Sequence, residues 1–186
     1  MSGGVRFDAR MVWPMPQLLV QWIAGADARS LVAGILLALA LGLYLYNAGR
    51  LAVIDVRSHL LPNRILAPWS GAALVLLGAA ALLAGEPRVL LRAVTGSAIL
   101  FGAYLLLHLL APSGMGLGDV KLAAVLGLYL GFVSYMHLLW ASVLAFVIGA
   151  LWTAVLLIAR RLTLRSSVAF GPFMLVGAAT ALAIPG

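Results

Sequence analysis

Five acidic residues stand in this sequence of 186, Asp8, Asp27, Asp55, Glu86 and Asp119, and two of them sit where charge is costly. Asp55 and Asp119 each adjoin the end of a long apolar run, and a carboxylate beside hydrocarbon demands a reason. Two aspartates brought together can hydrolyse an amide with no metal and no covalent intermediate. Held close, they do not both ionise readily, so the pair shares a proton and titrates as a unit. The ionised member takes a proton from water while the protonated member polarises the scissile carbonyl. The structural alternative is that each merely pairs with a base nearby in sequence, Arg57 or Lys121. Asp8, Asp27 and Glu86 read as solvated, Glu86 in the tight turn Gly85-Glu86-Pro87.

The sequence around each aspartate adds to this. Asp119 closes Gly114-Met115-Gly116-Leu117-Gly118-Asp119 and is followed by Val120-Lys121-Leu122. Glycines at every second position leave the backbone uncovered and permit close approach of another chain. An extended peptide can pair with that backbone, at Gly116 and Gly118, and present its amide to Asp119. The alternative is a flexible glycine loop between two helices. Asp55 lies in Ile54-Asp55-Val56-Arg57-Ser58-His59-Leu60-Leu61-Pro62-Asn63. There Pro62 stops the preceding structure and Asn63 is placed to cap the next helix.

The elements that must position these residues are membrane helices. Of the whole chain 65% is hydrophobic and 9% charged, too little charge to cover a soluble domain of this size. A membrane span takes about 20 apolar residues as a helix. Uncharged runs of that length occupy Ser30–Gly49, Ile65–Gly85, Ala93–Ala111 and Ser166–Gly186. The run from Leu122 to Ala159, at about 1.5 Å per residue, is nearly two membranes long. It is expected to fold back once around Gly131-Phe132-Val133-Ser134-Tyr135. The fold class is therefore all-α, a polytopic membrane protein with a bundle of about six transmembrane helices. Residues 1–29 form an N-terminal segment ahead of the six-helix domain of residues 30–186. Within that segment Val12–Ala24 is short and carries two prolines, which favours an interfacial or re-entrant helix over a seventh span.

Charge supplies orientation. Arg50, Arg57 and Arg64, then Lys121, then Arg160, Arg161 and Arg165 fall in alternate loops, all on one side of the membrane, whereas the opposite loops hold Arg88 and Arg92. The positive-inside rule puts the first set, and both aspartates with them, in the cytoplasm. The net charge of +7 is spread through these loops and forms no concentrated patch for nucleic acid. With no cysteine there is no disulfide and no thiolate-bound metal. His59, His108 and His137 are dispersed and make no metal-ligand spacing. They read as a loop residue, an intrahelical polar contact and a helix-end residue. No metal and no cofactor is expected. Trp69, Trp140 and Tyr135 fit an interfacial aromatic belt.

Three blocks together resemble the type IV prepilin peptidases, aspartic proteases of bacterial inner membranes. They are Ile54-Asp55 with Leu61-Pro62-Asn63, then Gly114 to Leu122 with Gly127 and Gly131-Phe132, then Phe170-Gly171-Pro172-Phe173. The resemblance implies that Asp55 and Asp119 are the catalytic pair. It implies a prepilin or pseudopilin substrate whose short basic leader ends in glycine ahead of an apolar helix, cut at the cytoplasmic face. Gly171 and Pro172 would disturb the last helix and leave backbone groups free at the substrate site, or simply kink a membrane helix. Long members of the family carry an extra zinc-binding cytoplasmic domain with paired cysteines and also N-methylate the trimmed pilin. The absence of cysteine and of room for that domain resembles the short, peptidase-only branch that serves Flp-type pilins. Presenilin-like proteases share a GxGD aspartate, but this chain lacks their Tyr-Asp and Pro-Ala-Leu motifs. A transporter would place ionisable groups near mid-membrane in paired halves. A non-catalytic scaffold would tolerate loss of both aspartates.

Overall fold

The computed structural model describes residues 14–25, 27–58, 60–112, 115–160 and 169–184. Among them are seven helices and no strand: α1 Met15–Ile23, α2 Ala28–Ser58, α3 Asn63–Leu83, α4 Pro87–Leu110, α5 Leu117–Val133, α6 Tyr135–Ile158 and α7 Gly171–Ala183. The protein is a polytopic all-α membrane protein. By length and composition α2, α3, α4 and α6 are each able to cross a membrane. The six runs expected from sequence correspond to α2 through α7, with changed boundaries. The first does not stop at Gly49 but continues through Arg50 and Asp55 to Ser58. The last begins at Gly171, and its 13 residues reach only about 20 Å. Its expected first residues, 166–168, lie outside the described residues.

The long uncharged run breaks where expected. Ser134 is extended, at φ −168° and ψ 165°, and serves both as the end of α5 and as the start of α6. Between α3 and α4 the chain turns through Gly85, which is left-handed at φ 77°. The Gly85 amide donates to Leu82 and the Glu86 amide to Ala81, so two carbonyls at the end of α3 are satisfied before Pro87 opens α4. Successive helices thus run up and down. The end of α2 and the starts of α3, α5 and α7 come to one end of the bundle.

Apolar on all sides, α5 is correspondingly encased: Val120, Leu122, Ala123 and every residue from Val125 to Val133 are buried. It packs most closely on α4, with glycines making the approach possible. A methyl group on Gly127 would lie 2.6 Å from the Ser97 Cα, and one on Gly96 would lie 2.8 Å from the Gly131 Cα. Small residues that let backbones touch are how membrane helices associate when no hydrophobic force distinguishes neighbour from lipid. Ser97 adds a hydrogen bond of 2.7 Å to the Ala124 carbonyl.

Polar groups inside the bundle are satisfied locally. Trp69 Nε1 donates to the Tyr129 hydroxyl at 3.1 Å, and that hydroxyl donates to the Ala40 carbonyl. Trp69 is therefore a core residue, 2% exposed, and not part of an interfacial belt. At the far end of α5, Arg92 donates to the carbonyls of Gly131 at 2.8 Å and Phe132 at 2.5 Å. It closes the helix terminus rather than serving as a loop charge. His137 is buried there too, between Ser134 Oγ at 2.7 Å and the Ile184 carbonyl at 3.2 Å. The N-terminal helix α1 is too short to cross. Its Met15, Leu18 and Trp22 are buried, and Trp22 meets Phe132 edge-on, at the end of α5 away from Asp119.

Candidate active site

Asp55 lies in the last turn of α2, three residues before its end, and is 4% exposed. An anion near the C-terminus of its own helix is disfavoured by the helix dipole. The sequence offsets this by bringing a different helix start against it. The amide of Gly171, first residue of α7, donates to Asp55 Oδ2 at 3.0 Å. Gly171 allows the contact because it has no side chain: a methyl there would sit 2.6 Å from the same oxygen. Pro172 follows inside the first turn, where its missing N–H costs nothing. Gly171 and Pro172 thus start α7 instead of disturbing its interior, contrary to the expectation from sequence.

Asp119 has the opposite relation to its own helix. It is in the first turn of α5, 8% exposed, where the dipole favours an anion. Its Oδ2 accepts from the amide of Gly116, the residue preceding the helix, at 3.2 Å. Each aspartate therefore rests on the amide end of a helix, α7 for Asp55 and α5 for Asp119. The two lie close enough that the charge of Asp55 acts on Asp119. Burial with a second carboxyl in range is the setting in which two acids share a proton.

Leu61 joins the two halves. It is non-helical and half-buried, between α2 and α3. A methyl on Gly118 would come within 2.8 Å of the Leu61 Cβ, and one on Gly171 would lie 3.5 Å from Leu61 Cδ1. The face of Gly118 that the sequence leaves open for a peptide is therefore covered by Leu61. Asn63 does not cap α3. It is the first helical residue, the preceding position is Pro62, and its side-chain oxygen accepts from Lys121 Nζ at 2.9 Å. Lys121 in this way ties the start of α3 to the start of α5. His108 bonds the Met115 carbonyl at 2.7 Å and anchors the glycine loop to the end of α4, a longer reach than the intrahelical contact expected. His59 and Gly114 lie outside the described residues.

The structure thus brings Asp55, Asp119, Gly116, Gly118, Gly171 and Pro172 to one end of the bundle. Sequence reasoning missed that Leu61 touches both halves. Its signals were its place beside Pro62 and in the Leu61-Pro62-Asn63 block, but nothing local shows which way a loop leucine points. Among the described residues no three His, Asp or Glu side chains gather as a metal would need.

Residues 42–158 match the type IV leader peptidase family, a stretch containing both aspartates and ending before Phe170. The chain belongs to that family. It is 31% identical to a prepilin leader peptidase/N-methyltransferase of Stutzerimonas stutzeri, over 89% of this chain and 54% of that one. It is 34% identical to the protein of the same description from Pseudomonas putida, over 86% of this chain and 51% of the relative. This member of the family spans about half the length of the curated relatives it matches. No solved structure matches it.

Proposed function

We propose that this leader peptidase family member is an aspartic endopeptidase of the bacterial inner membrane. It removes the basic leader from type IV pilin-like precursors, cutting after glycine at the cytoplasmic face. The observation that carries this reading is the pair of buried carboxyls, each held by the amide at a helix start, at one end of a membrane bundle. Water held between them loses a proton to the ionised carboxylate as it attacks the scissile carbonyl, while the protonated carboxyl donates to the carbonyl oxygen. Collapse of the tetrahedral intermediate returns a proton to the leaving amine, and the dyad regains its shared proton. Gly116, Gly171 and Pro172 border the carboxyls where the substrate backbone passes, and Gly118 borders it through the Leu61 that rests on it.

Arg50, Arg57, Arg64, Lys121 and Arg160 fall at the same end as the aspartates, which supports a cytoplasmic site. They also suit the membrane surface that a substrate's apolar helix must leave to reach the dyad. We assign cleavage to this bundle, and N-methylation is scored in the same experiment.

The test is co-expression with an Flp-type prepilin, with leader loss scored by gel shift and mass spectrometry. Wild type should cut after glycine, and the mass of the product scores methylation of the new N-terminus. Asp55→Asn and Asp119→Asn should each lower the rate by about 10²- to 10⁴-fold while reaching the membrane normally. Cleavage that persists in both variants would make the aspartates structural. The rate should follow a bell-shaped pH profile, falling on the acid side as the pair takes a second proton and on the alkaline side as it loses the shared one. A flat profile across that range would argue against a dyad.

A further inference from the structure

We propose that Leu61 is the residue that restricts the cleavage position to glycine. The inference rests on the peptidase reading above and names a determinant of its specificity. Leu61 lies against Gly118, the neighbour of Asp119, and against Gly171, whose amide holds Asp55. It therefore packs against the neighbours of both carboxyls, and the scissile carbonyl must come between those carboxyls for both to act on it. The residue before the cut carries its Cβ on the atom next to that carbonyl carbon, about two bond lengths away. A side chain there has to share the space with whatever lines it, and glycine presents nothing.

Leu61 is built to stay in place. The next residue, Pro62, fixes its own φ and restricts Leu61 to extended backbone. One position further on, Asn63 is tied to Lys121 on α5. On the Gly118 side the contact is with the Leu61 Cβ, which no rotamer change removes. Leu61 thus fills the bare face of Gly118 with a side chain that cannot swing away, while the rest of that side chain reaches toward Gly171.

The test compares two prepilins that differ only at the residue before the cut, one with glycine and one with alanine. Wild type, Leu61→Ala and Leu61→Val are purified in detergent and assayed on both. Wild type should cut the glycine substrate and strongly prefer it. Leu61→Ala should narrow the ratio of kcat/KM between the two substrates about tenfold or more, because removed side-chain volume readmits a methyl group. Leu61→Val should narrow it less. An unchanged ratio in Leu61→Ala that still cuts the glycine substrate would overturn the proposal and leave the peptidase reading intact. If Leu61→Ala does not fold, the ratio in Leu61→Val decides on the same terms. A wild type inert on the glycine substrate would remove the peptidase reading and this inference with it.

Discussion

Along the α4–α5 seam, Gly96, Gly127 and Gly131 each face the backbone of the other helix, whereas at the carboxyl end Gly118 and Gly171 face side chains. The two sets share one chemical property, the lack of a Cβ, and use it for different ends. In the seam the space a methyl would need is occupied by Cα and carbonyl atoms, which give way only if whole helices move. At the site it is occupied by Asp55 Oδ2, which can rotate away by itself, and by the side chain of Leu61. Glycine in the seam therefore sets stability, and glycine at the site sets the position of reactive groups. Site glycines and packing glycines look alike in the sequence. What they face separates them.

Gly171→Ala is the sharpest way to break the comparison. Its methyl would press on Asp55 Oδ2, and the carboxyl can rotate away at little cost to folding. Displacing a reacting group by about 1 Å costs roughly a hundredfold in rate. The expected outcome is a loss of leader cleavage of that order with near wild-type thermal stability in detergent. Gly127→Ala should do the reverse. Its methyl meets Ser97 N and Cα and the Gly96 carbonyl, with no side chain to yield. Overpacking of this kind costs about 1–3 kcal/mol. The unfolding temperature should drop, while the molecules that remain folded cut at close to the wild-type rate. Matching losses of both quantities in both variants would erase the distinction.

Why some of this was legible beforehand follows from the same contrast. The number of apolar helices in the bundle came from run length, and the break at Ser134 from a run too long for one crossing. Both are properties of local composition. Asp55 and Asp119 stood out because charge beside hydrocarbon is rare. What stayed hidden depends on which element meets which. Nothing around Asp55 reveals that the start of α7, more than a hundred residues on, supplies its hydrogen bond. Trp69 read as an interfacial anchor, since an aromatic near a span end fits both uses, and only its partner Tyr129 decides for the core. Gly171-Pro172 read as a disruption within a helix because the uncharged run begins earlier, at Ser166. Helix starts inside apolar runs carry no charge signal to mark them.

A smaller effect is expected from Arg92→Met, at the end of α5 opposite the carboxyls. The variant keeps a long apolar stem and loses two charge-assisted hydrogen bonds to the carbonyls of Gly131 and Phe132. Bonds of this type contribute about 1.5–3 kcal/mol each when intact, less what water recovers at a half-buried site. A net loss of about 1–2 kcal/mol in the stability of the bundle is expected. Cleavage by the folded fraction should not change, since α5 carries no reactive group at that end. A rate loss exceeding the loss of folded protein would mean that α5 transmits displacement along its length to Asp119.

The smallest expected effect belongs to Lys121→Met, and it bears most directly on the electrostatics of the site. Lys121 is two residues from Asp119, so sequence alone allows it to govern the charge of that carboxyl. On a helix, positions two apart point to different faces. Lys121 is exposed and reaches Asn63 at the start of α3, whereas Asp119 turns back onto Gly116. Losing an exposed hydrogen bond of this kind costs about 1 kcal/mol or less. The pH profile of cleavage should keep its midpoints, because what acts on Asp119, first its burial, then the charge of Asp55 and the Gly116 amide, is untouched. A profile displaced toward higher pH in Lys121→Met, with stability unchanged, would show the ammonium to be a stabiliser of the ionised dyad. The basic end of the bundle would then act on catalysis as well as on topology.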